Sequence, residues 1–540
     1  MQRPLFFGPI AGYLPTMTEF LLVALIAFAS GAVLTPLMRL VSQRAGLVDH
    51  PDGRRKLHAQ PIALGGGVAV FVATFLSLTC AVFVFPSVNA VVDKATDSAG
   101  RQNSLSFLVG LFVSSLLIVG IGLLDDRFNL RGRQKLLGQI FAVSILLSSG
   151  LVVENIQIFG WNHQLGLLAY PFTMFWLLGA INALNLIDGL DGLASSVGAI
   201  LSLAIVGMAI ITGHDLDAIV ALALCGALLA FLIYNLPPAS IYLGDAGSML
   251  IGLLLGALAM RSSFKAPATV ALMAPTVIWA IPILDVGMAI LRRKLTGRSI
   301  YETDRGHLHH CLLRSGFSGQ MTLLSIGVFC AITAIGALIS VVFQDEWLAL
   351  ISAVAVFGTL VVSRLFGFAE CKLLGNRLKS IVTSFIPASN RKSGMLASPA
   401  PVHARLTGTR DWEELWETLT EYAERFDLSS VQLNVNLPAL NEEYHVNWNR
   451  RDRGPEREQW TTDIPLITGG TTIGRLRISG RSSEGSICTW MGDLIAGLKP
   501  FEMQVSAILS DQMQLRHFQR VGQEPDSSDA PAMVFEANSG

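Results

Sequence analysis

Cysteine is too sparse and too scattered to organise this chain. The six, Cys80, Cys225, Cys311, Cys330, Cys371 and Cys488, show no CxxC spacing across 540 residues. That excludes a disulfide-stapled fold and a cysteine-built zinc site, and it suits loops facing a reducing compartment. Charge is thin as well: charged residues make up 15% and the net is −1, which argues against a nucleic acid as partner. The apolar runs lack period-two alternation, so they are not the strands of a membrane barrel. No solenoid-type repeat occurs. The apolar stretch from Phe20 is too long for a secretory signal and no small-residue cleavage site follows it. It reads as a retained first span.

Apolar residues are what the chain has in excess. They reach 51% and the mean hydropathy is +0.52, too oily for a soluble enzyme of this size. About eleven runs approach the roughly 20 apolar residues that a helix needs to cross a hydrocarbon core. They lie at 18–41, 65–86, 105–124, 135–153, 165–183, 194–213, 216–235, 247–261, 268–291, 321–343 and 346–368. Continuous apolar runs imply helices. The expected fold is therefore an all-α polytopic membrane protein followed by a small soluble α+β domain. Residues 1–373 form the membrane part and 374–408, rich in Ser, Pro, Lys and Arg, a linker. Residues 409–518 form the soluble domain, and 519–540 a disordered tail. Within the soluble domain the pattern predicts a helix at 411–426, strands at 430–437, 443–449, 459–467 and 472–479, and a second helix at 491–514. That order resembles small sensory domains of the GAF type.

Charge is distributed unevenly between the two sides. With the N-terminus outside, one set of loops carries Arg44, Arg54, Arg55, Lys56, Arg127, Arg131, Arg133, Arg292, Arg293, Lys294, Arg298, Arg305 and Arg314. The other set offers Lys94, Arg101, Arg261 and Lys265. The basic side is expected in the cytoplasm. Five polar clusters fall there, at 46–67, 125–139, 182–192, 235–248 and 292–310. Carboxylates, amides, cations and imidazoles gathered at one membrane face suit a phosphate-rich substrate handled beside lipid.

Each cluster also has a plainer reading. Asp125-Asp126 are either solvated helix-end charges or a site for a divalent cation or a base, and their mutual repulsion raises one proton affinity unless a cation offsets it. Lys135 and Gln139 share a helix face, where Lys135 can neutralise a phosphate. Asn182, Asn185, Asp188 and Asp191 recur every three residues where a span emerges, and polar groups there default to function. Asp191 has the alternative of capping the next helix. Asp245, between Gly244 and Gly247, is either an ordinary turn residue or a hard oxygen ligand for Mg²⁺. His307, His309 and His310 have the wrong spacing for zinc. Beside Arg298, Arg305 and Arg314 they serve as hydrogen-bond donors to phosphate, structural posts or part of a solvated basic loop. Asp285 either pairs with Arg292 or Arg293 or meets substrate.

Taken in order, these clusters resemble the polyprenyl-phosphate N-acetylhexosamine-1-phosphate transferases over about residues 40–320. Asp125-Asp126 with Lys135-Leu136-Leu137-Gly138-Gln139 is similar to the family's first acidic motif. The stretch 182–193 is similar to its Asn-Asp-Gly-Leu-Asp-Gly motif, 235–252 to its Gly-Asp-x-Gly-Ser motif, and His307-Leu308-His309-His310 to its histidine loop. His-x-His-His after Asp304-Arg305 resembles the GlcNAc-1-phosphate branch. The MurNAc-pentapeptide branch, with three consecutive histidines, is the runner-up, and a membrane transporter the distant alternative. The resemblance implies transfer of HexNAc-1-phosphate from a UDP-N-acetylhexosamine to undecaprenyl phosphate at the bacterial inner membrane, with release of UMP. It implies Asp125, Asp126 and Asp188 as catalytic residues, and Asp245 with Asp188 as ligands of Mg²⁺, Mn²⁺ being the alternative ion. Substrate contacts fall to Lys135, Asn182, Asn185, Asp191, Arg298, His307, His309 and His310. The partners expected are the two substrates and the bilayer, with a homodimer left open.

Overall fold

A computed structural model describes residues 15–49, 61–93, 104–266, 269–295 and 306–368, positions 370, 371, 374 and 375, most of 416–437, and 442–449, 459–468 and 471–481. The chain divides into two compact units, Met1–Lys294 with Ser299–Glu370, and Leu295–Arg298 with Cys371–Gly540.

The first unit is helical. In chain order it comprises α1 (Met17–Arg44), α2 (Gly66–Val84), a short α3 (Pro86–Asp93), α4 (Ser104–Phe128), α5 (Gly132–Ser148), α6 (Ala169–Ile187), α7 (Leu193–Thr212) and α8 (Asp215–Asn235). There follow α9 (Gly244–Arg261), α10 (Met273–Ile278), α11 (Ala280–Leu295), α12 (Leu308–Arg314), α13 (Gly319–Phe343) and α14 (Glu346–Val362). Among the described residues, eight helices are long and apolar enough to cross a membrane: α1, α2, α4, α6, α7, α8, α9 and α13. The chain is thus a multi-pass membrane protein by length and composition. The spans expected at 135–153, 268–291 and 346–368 are helical but shorter. The first and last are 17 residues each, and the middle one is split at Trp279 into pieces of 6 and 16.

Two small sheets sit among the helices. Strands β1 (Val48–Asp49) and β2 (Ile62–Ala63) pair antiparallel, and Ala63 bridges to Ile241. The first polar cluster is thereby tied to the Pro-Pro loop before α9. Strands β3 (Asn155–Ile158), β4 (Trp161–Gln164), β5 (Phe264–Ala266) and β6 (Thr269–Ala271) form a second sheet in the order β4-β3-β6-β5. That sheet takes the start of the span expected from 268, so helix begins only at Met273. Strands of three or four residues leave too short a pattern to read in sequence.

Helix α9 is the axis on which the site depends. All its residues from Ala246 to Met260 are buried. Small residues explain the enclosure, because helix association in lipid relies on close backbone approach rather than on the hydrophobic effect. A β-carbon on Gly122 of α4 would collide with the Ala246 backbone, and one on Gly67 of α2 with the Gly247 backbone.

The second unit holds β7 (Ser430–Leu437), β8 (Glu442–Asn449), β9 (Gln459–Thr468) and β10 (Thr471–Arg481) in one antiparallel sheet, order β8-β7-β10-β9. Val431, Leu433 and Val435 alternate inward with Leu476 and Ile478, and pack with Trp416, Leu419 and Ala423. These strands lie within two residues of the expected ones. The 491–514 helix, nearly all of the 374–408 linker and the 519–540 tail fall outside the described residues.

The packing account makes a prediction. Gly122→Ala inserts a methyl against α9 backbone and should destabilise by roughly 1–3 kcal/mol. Gly120→Ala, with nothing within 4 Å of the added carbon, should leave the melting temperature in detergent unchanged. Equal melting of the two variants would refute the close-approach argument.

Candidate active site

The last turn of α4 carries both members of the acidic pair, and helical geometry sends them different ways. Asp126 faces the start of α9, where its Oδ1 accepts from the Asp245 backbone N–H at 2.9 Å and its Oδ2 from that of Ala246 at 3.4 Å. Those amides have no partner within the helix, and a carboxylate is favoured at the positive end of the helix dipole. Gly244 is required at this junction. It adopts φ 72°, and a β-carbon there would lie 2.6 Å from Asp126 Oδ2. Asp125 instead accepts from the Leu130 backbone at 2.8 Å and pairs with Lys135 Nζ at 2.8 Å.

Lys135, in the first turn of α5, gathers the site. Its ammonium also donates to Asp245 Oδ2 at 2.6 Å and to Asn185 Oδ1 at 2.9 Å. All three of its donors are therefore engaged, each by a different helix. The amide of Asn185 then donates to Asp245 Oδ1 at 2.7 Å and to Ser248 Oγ at 3.0 Å. A turn deeper, Asn182 donates to Gln139 Oε1 at 2.9 Å. That bond joins α6 to α5 below the charged layer, and Gln139 is fully buried.

Asp188 ends α6 as its C-cap and differs from its neighbours: its carboxylate accepts no hydrogen bond among the described residues. Burial, then the charges of Asp245, Asp126 and Asp191, push its pKa well above the usual carboxylate range. Asp191 does not cap α7. Gly192, at φ 75°, holds the N-cap position, and Asp191 Oδ2 accepts from the Ala239 backbone at 3.0 Å, tying the Asn-Asp motif to the Pro-Pro loop.

The histidine loop meets this group at Gly189, where a β-carbon would stand 2.6 Å from His309 Nε2. His309 is buried, and neither ring nitrogen has a hydrogen-bond partner among the described residues. Burial, then the adjacent His310, lowers its pKa to about 3, so the ring is a neutral donor and acceptor and not a cation. The His307 and His309 rings lie parallel, centroids 6.1 Å apart, and His310 is 4.2 Å from His309. Asp285 does not pair with Arg292 or Arg293. It accepts from His307 Nδ1 at 2.8 Å and from the Leu308 backbone at 2.7 Å, because the loop folds back over α11. An ionised carboxylate only accepts, so Nδ1 carries the proton and Nε2 is the nitrogen left for a ligand. Arg298, Arg305 and the basic run Arg54, Arg55 and Lys56 lie outside the described residues.

The structure thus brings Asp125, Asp126, Lys135, Asn185, Asp188 and Asp245 together, with His309 against the same motif and Asn182 beneath it. Sequence reasoning overlooked Glu370, which pairs with Arg292 at 2.6 Å across 78 positions. No local pattern marks such a partner. A groove of about 670 Å³ runs along α4 beside the site, lined by apolar residues from Leu116 to Phe128 with Ala45, Leu47 and Arg127. An ammonium among carboxylates, unpaired imidazole nitrogens and an adjoining apolar groove can together engage a phosphate that carries a lipid chain.

Known proteins are similar to this chain over much of its first unit. The model of glycosyl transferase family 4 matches residues 108–263. A probable undecaprenyl-phosphate N-acetylglucosaminyl 1-phosphate transferase of Bacillus subtilis is 30% identical over 325 residues, 60% of this chain and 85% of that protein. The decaprenyl-phosphate N-acetylglucosaminephosphotransferase of Mycobacterium tuberculosis is 33% identical over 375 residues, 63% of this chain and 88% of its own. The undecaprenyl-phosphate alpha-N-acetylglucosaminyl 1-phosphate transferase of Escherichia coli K12 is 30% identical over 324 residues, 58% and 82%. With the matched region spanning the Asp125-Asp126, Asn185 and Asp245 motifs, the chain belongs to glycosyl transferase family 4.

Proposed function

We propose that this protein transfers N-acetylglucosamine 1-phosphate from its UDP-sugar to a polyprenyl phosphate, undecaprenyl phosphate in a bacterial inner membrane, and releases UMP. The observation that carries this reading is the Lys135 ammonium held between Asp125, Asp245 and Asn185, next to a lipid-sized apolar groove. The names of the relatives support the acceptor and the sugar. On this reading the loops bearing the site face the cytoplasm, and α5, α10 with α11, and α14 complete about eleven crossings.

The reaction joins an oxygen of the lipid phosphate to the β-phosphorus of the UDP-sugar. The bond from that phosphorus to the bridging oxygen breaks, and the oxygen leaves on UMP with the electron pair. A phosphate monoester has a second pKa of about 6, so the attacking oxygen is already anionic near neutrality and direct displacement needs no strong base. The chain's task is positioning and charge neutralisation. Lys135 meets phosphate charge, and His307 Nε2 and the neutral His309 ring contact phosphate oxygens. Asn185, itself bonded to Ser248, aims Asp245, while Asp126 fixes the start of α9 on which Asp245 rides. The groove along α4 receives the isoprenoid chain.

The donor set fits Mg²⁺. Asp188 is a carboxylate with no hydrogen-bond donor among the described residues, near Asp245, and its proton affinity is raised by burial and then by the negative charge of Asp245, Asp126 and Asp191. Among the described residues no three His, Cys, Asp or Glu side chains form a ready cage; Mg²⁺ commonly takes one or two carboxylates and lets substrate phosphates supply the rest. Asp245 and Asp188 would hold it, and when bound it would neutralise charge on the phosphates.

Purified protein offered UDP-GlcNAc, UDP-GalNAc or UDP-MurNAc-pentapeptide with undecaprenyl phosphate should release UMP with the first and yield lipid-linked GlcNAc-phosphate by mass. Turnover of the pentapeptide substrate alone would replace this reading with the peptidoglycan one. Lys135→Met should lower kcat by roughly 10²–10³ in a protein that still folds. Asp245→Asn should abolish both activity and the binding of Mn²⁺, used as a spectroscopic substitute, in the presence of UDP. Undiminished Mn²⁺ binding would remove Asp245 as a ligand.

A further inference from the structure

Arg292 and Glu370 form an ion pair to which the reaction above gives no part. Arg292 lies in the last turn of α11, and Glu370 is the final residue of the first unit. Both are almost wholly buried, at 2% and 4% exposure. Arg292 Nε donates to Glu370 Oε1 at 2.6 Å, and Nη2 of the same guanidinium donates to the Gly306 carbonyl at 2.8 Å. A buried ion pair is sensitive to loss of either partner, so Glu370 helps set where the guanidinium sits.

What the guanidinium holds is the residue before His307. No side chain fits at position 306, since a β-carbon there would collide with Arg292 itself. Asp285 grips the next two residues, through His307 Nδ1 and the Leu308 backbone. Asp285 and Arg292 are seven residues apart on α11, two turns along one face. The histidine loop is therefore seated on two polar posts of one helix. The first post is a carboxylate acting directly; the second is an arginine that is itself oriented by Glu370.

We propose that Glu370 is a positioning residue for the transfer reaction, setting through Arg292 the seat of the Gly306 carbonyl and hence of His307 and His309 beside Gly189. The proposal rests on the reading that the histidine loop contacts substrate phosphate. Glu370 also stands where the chain passes from the first unit into the second, so the seat of the loop depends on a residue at that junction.

The test uses the full-length chain in lipid nanodiscs with UDP-GlcNAc and undecaprenyl phosphate. Glu370→Gln and Glu370→Ala should lower kcat/KM for the donor roughly 10- to 100-fold, the scale of a small misplacement of reacting groups. Amide hydrogen exchange should rise in the 306–314 segment and not across the other helices. Glu370→Asp should recover most of the activity. Wild-type kinetics and exchange in the Gln and Ala variants, alongside an inactive His307→Ala, would overturn the role of Glu370 and leave the histidine loop in the site. Full activity of His307→Ala would overturn the underlying reading and the proposal with it. Exchange that rises over the whole first unit, with a lowered melting temperature, would make Glu370 a stability residue and equally overturn the proposal.

Discussion

Convergent negative charge is the constraint on which the rest of this structure depends. Asp125, Asp126, Asp188 and Asp245 come from two helices, α4 and α9, and the C-terminal end of a third, α6, and a single ammonium, Lys135, directly offsets two of them. Two like charges 4 Å apart repel by about 4 kcal/mol at an effective dielectric of about 20. A domain stable by roughly 5–15 kcal/mol can sustain few such pairs. Each carboxylate accordingly has its own compensation: Lys135 for Asp125, Lys135 and Asn185 for Asp245, and the α9 amides for Asp126. Asp188 has none and keeps its proton affinity high.

Holding such a group together requires stiff helices brought unusually close. Gly122 and Gly67 let α4 and α2 press on the first turn of α9, so Asp126 can reach the helix N-terminus and Asp245 can point at Lys135. The Gln139–Asn182 bond locks α5 to α6 one turn below. Small-residue packing and polar convergence are therefore two halves of one arrangement. The first sets the distance between helices, and the second needs that distance to make its hydrogen bonds.

Much of this was legible in sequence because it is local. Continuous apolar runs announce helices, Gly-Asp-x-Gly marks a sharp helix start, and Val431, Leu433 and Val435 alternate as a half-buried strand must. That the motifs meet at one end of the helices also needed only the order of the apolar runs. What was not legible is pairing across long separations. Nothing near Lys135 reveals that Asp245 lies 110 positions away at 2.6 Å, or that Asp285 serves His307 and Arg292 serves Glu370. Asp191 shows the same limit: a cap is the local alternative, and the donor it meets, Ala239, lies 48 positions on.

The adjacent pair Asp125-Asp126 carries the argument furthest. In sequence the two are one acidic feature. On a helix, successive side chains diverge by about a third of a turn, and here each acquires two donors of its own. An enzyme carboxylate that attacked phosphorus would need a free, ionised oxygen. Among the described residues Asp125, Asp126 and Asp245 each already accept from two backbone, lysine or amide donors. Asp188 accepts nothing among the described residues, and burial, then the charges around it, raise its proton affinity. Under the proposed reaction the acceptor phosphate, anionic without help, is left as the attacking group. The protein's carboxylates then act by holding cations and helix ends where that attack takes place.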